Sequence, residues 1–113
     1  MIENNHEMRK WRHDIHRHPE LGFDEGRTAG KIAELLKSFG LEVHENIGTT
    51  GVVGVLKRGT SEKTIGLRAD MDALPIQEMG EWGHKSVNEG VFHGCGHDGH
   101  TAMLLGAAKH LAE

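Results

Sequence analysis

Tyrosine is absent from this 113-residue chain, aromatic residues make up 4%, and Cys95 is the only cysteine. With so few rings the core has to be aliphatic. A lone thiol excludes an intrachain disulfide and fits a reducing compartment. Long apolar runs are missing too. The longest aliphatic stretch, residues 52–56, is interrupted by Gly54 and falls far short of the roughly 20 residues a membrane-spanning helix needs. Residues 1–10 are charged and polar, so they do not read as a signal peptide. Excess positive charge is also lacking: the formal net charge of −4 argues against nucleic acid or an anionic membrane as partner. The expectation is a soluble, cytoplasmic protein.

Glycine is what the chain has in quantity, with 16 residues, about twice the usual share of ~7%. That implies many tight turns and close backbone approaches. The length suits one domain, able to bury roughly two-thirds of its unfolded surface.

Asn5 can cap a first helix ending near Arg17, with Met8, Trp11 and Ile15 near one face. His18-Pro19 stops it, because the residue before proline avoids helical torsions. A second helix is expected over residues 24–39, where Ala29, Ile32, Ala33 and Leu36 keep helical spacing and Gly40 supplies the stop. Residues 41–45 alternate apolar and polar like a half-buried strand. Residues 52–57 and 63–69 are two further strand candidates, expected to pair as an antiparallel hairpin across the polar turn 58–62. Residues 70–90 lose all periodicity, and a loop of about 20 residues is more often functional than incidental. Asp98 or Thr101 then caps a last helix through Met103, Leu104, Ala107, Ala108 and Leu111. Its pattern is still running at Glu113, which reads as a chain interrupted rather than finished. The order predicts an α/β layer whose sheet continues past the last residue.

The chemistry concentrates in His93-Gly-Cys-Gly-His-Asp-Gly-His-Thr-Ala102. Thiolate and imidazole together select a zinc-class ion. Cys95 and His97 lie one glycine apart, so an extended segment turns both side chains the same way. The competing reading is a buried cysteine beside surface histidines. His93 and His100 are each a third ligand, a supporting donor or solvent-facing. Asp70 and Asp72 follow the third strand candidate, where ligands bind in open α/β sheets, and either could orient a ligating histidine by accepting its other N–H. Their competing reading is ordinary turn-forming aspartates. His13, His16 and His18 form a third polar group, expected to be solvated or capping, with no catalytic role.

Taken together, the stretches Trp11-Arg-His-Asp-Ile-His-Arg-His-Pro-Glu-Leu-Gly-Phe-Asp-Glu25, Leu67-Arg-Ala-Asp-Met-Asp-Ala-Leu-Pro-Ile76 and the run from His93 to Ala108 resemble one family. It is the metal-dependent amidohydrolases that include hippurate hydrolase, N-acyl-amino-acid amidohydrolases and the plant auxin-conjugate hydrolases, relatives of the aminoacylase and carboxypeptidase G group. The resemblance implies a zinc-exopeptidase-like α/β domain, with helices packed on a mixed sheet, of which residues 1–113 form the N-terminal part. In full-length members a smaller α/β domain, absent here, mediates dimer contacts, so a homodimer or higher oligomer is implied for the complete form.

By that resemblance Cys95 and His97 correspond to two ligands of a site holding two divalent ions (Zn, Mn, Ni or Co). Asp72 corresponds to the catalytic acidic residue near the metals, and Asp70 stands where more distant relatives carry a histidine ligand. The implied reaction is hydrolysis of an N-acyl amino acid to a carboxylate and an amino acid. The remaining ligands and the glutamate base would lie beyond Glu113, so the chain alone is expected to have little or no activity. The alternative is a small metal-binding module without catalysis, completed by His93 or His100.

Overall fold

Three helices and one hairpin organise the chain, in a computed structural model that describes residues 4–113. The helix α1 spans Asn4–Arg17, α2 spans Gly26–Ser38, the strands β1 and β2 span Glu42–Ile47 and Gly51–Val55, and α3 spans His97–Ala112. Of the expected first-helix face, Ile15 is 1% exposed and Trp11 lies against Phe39, with ring centroids 5.7 Å apart. Asn5 lies inside the first turn rather than capping it.

The second helix is held at both ends. Glu20 reaches back to its first turn, accepting from the backbone N–H of Arg27 and of Thr28 and from the Thr28 hydroxyl, which satisfies donors that have no partner within a helix. At the other end Gly40, at φ 91°, lets its own N–H reach the Lys37 carbonyl and the Leu41 N–H reach that of Leu36, a Schellman stop.

The sheet differs from the expected one. β1 pairs antiparallel with β2, across a turn that places Thr49 at φ 92°. Residues 63–69 form no strand among the described residues, and Ile65 and Leu67 are largely exposed. Alternation marks which side chains share a face, but a strand also needs a neighbour. Among the described residues β2 pairs with β1 alone, through the shortest available turn. Pairing elsewhere is mixed and minimal: Leu21 bridges Ala73 in parallel and Leu74 bridges Phe92 antiparallel.

The third helix begins earlier than expected, at His97, preceded by Gly96 in the left-handed region at φ 99°. Asp98 and Thr101 therefore lie within it and not at its cap. It turns Asp98, Thr101, Ala102, Leu105 and Gly106 inward, while Met103 and Leu111 stay exposed. α1 packs along α3, and α2 covers the hairpin and touches α3. The core is small and aliphatic: Ile15, Ala33, Leu36, Ala73, Ala102 and Leu105. Beside it, an apolar cleft of about 700 Å³ runs between α2, the hairpin, residues 65–72 and α3.

Candidate metal centre

Two loop segments meet at the start of α3. The Leu21–Ala73 and Leu74–Phe92 bridges lay residues 73–74 between two other stretches of chain, with the Ala73 N–H donating to the Glu20 carbonyl at 2.8 Å. Residues 70–72 on one side and 93–97 on the other are thereby brought together. Thr101 ties them from within the helix, its hydroxyl donating to the Asp70 carbonyl at 2.8 Å.

His97 is engaged at both ring nitrogens. Nδ1 stands 2.9 Å from Asp72 Oδ1 and 3.0 Å from the Asp72 carbonyl, while Nε2 stands 3.3 Å from Asp70 Oδ2. One turn on, His100 Nδ1 lies 2.8 Å from Asp70 Oδ1, and the two imidazoles stack with centroids 5.5 Å apart. The His100 hydrogen bond, helped by the charges of His97 and His100, holds the Asp70 carboxyl below the ordinary carboxylate range despite some desolvation. Asp70, His97 and His100 each offer one ligand atom, and these atoms lie within 4.8 Å of one another.

This donor set fits a divalent cation. When Nδ1 of His97 donates to Asp72, Nε2 carries a lone pair, and that lone pair faces the Asp70 carboxylate. Two electron-rich atoms in that position call for a proton or a cation between them. One carboxylate and two imidazoles suit zinc-class ions, and Asp72 on the outer nitrogen is the usual support for a ligating histidine.

The sequence-predicted residues are thus partly united. Asp72 and His97 are in direct contact, and Asp70 and His100, whose roles the sequence left open, join the cluster. Cys95 is exposed and stands outside the three-residue group. His93 is buried, with neither ring nitrogen bonded among the described residues, and burial pushes its pKa below the ordinary histidine value.

His16 departs from expectation. It is buried rather than solvated, bonded to Asp98 and Glu78. The signal was available, because His16 follows Ile15 and lies eight residues from Met8, on the helical stripe that faces the core. His18 does act locally, through Nδ1 at 2.8 Å from the Asp14 carbonyl. His13 stacks in parallel on His84 with centroids 4.0 Å apart.

Residues 66–113 match the peptidase family M20/M25/M40. The chain is 64% identical over 106 residues to a hippurate hydrolase from Campylobacter jejuni, covering 94% of this chain and 28% of that protein. It is 50% identical to an N-acyl-L-amino acid amidohydrolase from Geobacillus stearothermophilus, covering 88% of this chain and 27% of that one. Among solved structures, a dinuclear metal-binding peptidase of the M20 family from Bacillus subtilis superposes with a TM-score of 0.92 at 38% identity, over 97% of this chain and 31% of that one. The chain therefore spans between a quarter and a third of the length of these relatives. With its three signature stretches, its helix-start cluster and these likenesses, the chain is similar to the first part of the M20/M25/M40 peptidases, whose family model it matches over residues 66–113.

Proposed function

We propose that the chain supplies the first part of a two-metal catalytic domain that hydrolyses the amide bond of N-acyl amino acids of the hippurate type. One observation carries this reading: His97 sits between Asp72 and Asp70 with His100 alongside, in a chain 64% identical to a hippurate hydrolase. His97 and Cys95 serve as metal ligands, and Asp70 and His100 stand where they can complete or flank the same site. Asp72 fixes the ring and tautomer of His97 by accepting its Nδ1 proton. Divalent ions bound there would acidify a water and polarise the amide carbonyl.

Catalysis also needs a base to carry the water's proton to the leaving amine. By family resemblance that glutamate, with the remaining ligands and a smaller dimerisation domain, belongs to the part of the relatives this chain does not span. The chain alone is accordingly read as binding metal but turning over little or no substrate, and its partner in the complete protein as a second copy.

The test is to titrate the 113-residue chain with Zn²⁺ or Mn²⁺ and then follow glycine release from hippurate. The expected result is saturable ion uptake, abolished in His97→Ala, without turnover at ordinary enzyme rates. Turnover at such rates would refute the claim of incompetence. No uptake by the unaltered chain would remove the metal reading itself.

A further inference from the structure

His16 is a buried side chain outside the candidate metal centre with both ring nitrogens engaged. Its Nδ1 lies 2.9 Å from Asp98 Oδ2 and its Nε2 lies 3.0 Å from Glu78 Oε2. Both carboxylates are buried, Glu78 at 1% exposure and Asp98 at 3%. Glu78 also accepts from the Trp82 indole N–H at 2.6 Å and from the Ser86 backbone N–H at 2.7 Å, while Arg12 faces Asp98 at 3.7 Å. The imidazole satisfies both carboxylates only by donating from both nitrogens. One side chain of α1 thus joins the loop around Glu78 to the first turn of α3.

Stability alone does not call for this arrangement. A buried ion pair exchanged for apolar residues of similar volume is often neutral or even stabilising. What a two-sided hydrogen bond adds is direction. The first turn of α3 has no side-chain cap, and it follows a left-handed glycine that imposes little on its neighbour. The rotation of that turn is therefore set by side-chain anchors. Thr101 on the Asp70 carbonyl is one. Asp98 is another, held by His16 at 2.9 Å with Arg12 farther off at 3.7 Å, and Asp98 adjoins His97 in the chain.

We propose that His16 is a positioning residue for the metal centre. Through Asp98 it fixes the rotation of α3, and hence where His97 and His100 stand against Asp70 and Asp72. Through Glu78 it ties the 78–86 loop to the same post. This inference rests on the metal reading of the Asp70–His97–His100 cluster and adds a residue that touches none of the three.

The experiment is a Co²⁺ titration of the chain, followed by the visible d–d bands, which report coordination geometry. His16→Gln keeps a polar side chain of similar reach but offers one amide nitrogen in place of two opposed ring nitrogens. It is expected to weaken Co²⁺ binding by about 10–100-fold, the usual effect of removing outer support from a ligand, and to shift the bands. Ala33→Gly, on the buried face of α2, is expected to lower the melting temperature while leaving affinity and bands unchanged. Should His16→Gln fail to fold, Glu78→Gln loosens the same post in a chain that keeps His16, with a weaker shift in the same direction. Folded His16→Gln, or folded Glu78→Gln in its place, with wild-type affinity and band positions overturns the inference alone. A wild-type chain that takes up no Co²⁺ overturns the metal reading and this inference with it.

Discussion

A residue's neighbours, more than its type, decide what it does at this site. Asp70 and Asp72 are two positions apart, yet one shares an imidazole pair while the other backs a single ring. Asp72→Ala is therefore expected to weaken divalent-ion binding by about 10–100-fold without unfolding the chain, as calorimetric titration would read directly. His93 gives a pH prediction. Burial lowers its pKa from 6.5, and burial is also the leading cause that lowers the pKa of His13 and of His84. The unfolded chain then takes up these protons first as pH falls. Stability is fully present above the ordinary histidine value and is lost as pH drops through it toward the lower folded values. Melting in a chelating buffer should fall between about pH 7.5 and 5.5, and His93→Phe should flatten that slope. A melting temperature that stays level across that range would contradict it. That Asp70 or Asp72 could orient a ligating histidine was legible in the sequence, because carboxylate and imidazole chemistry narrows the choices, but which aspartate meets which ring was not. The role of His16 was not, since its two partners lie 62 and 82 residues away.

At the scale of elements, helix ends proved more legible than strands. Gly40 stops α2 where its pattern requires, because that stop is written within a few residues. The start of α2 depends on Glu20, which sits outside the helix, and Glu20→Ala should cost about 1–2 kcal/mol in denaturant unfolding. The hairpin turn carries Thr49 at φ 92°, a region that β-branched residues avoid. Thr49→Gly should stabilise the chain by about 1 kcal/mol through release of that strain, and a loss of stability would show that the hydroxyl matters more than the torsion. Residues 63–69 illustrate the limit of pattern reading. Ile65, Leu67 and Ala69 alternate as a strand would, but the ladder partner is a property of the fold and not of the segment. The start of α3 at His97 differs from the expected cap for a related reason. Asp98 and Thr101 have capping chemistry, yet their oxygens are drawn to His16 and to Asp70 instead.

For the molecule as a whole, the polar cluster borders the apolar cleft. Asp70, Asp72 and Thr101 line the cleft near the N-terminal end of α3, while Ile65, Leu67 and Leu111 leave an apolar face exposed farther along it. A face of that kind invites association. Leu67→Glu should reduce dye binding by hydrophobic probes and concentration-dependent self-association, with a change in unfolding free energy of no more than about 0.5 kcal/mol. The likeness to the M20/M25/M40 peptidases gives the cluster its context, and the occupant proposed for the space between these two loop segments is a divalent ion. Anomalous diffraction at the zinc edge, on crystals grown with Zn²⁺, addresses it most directly. The account predicts a peak bonded to His97 Nε2 and an Asp70 oxygen at about 2.0–2.2 Å. Well-ordered density for both side chains with no anomalous peak between them would contradict it.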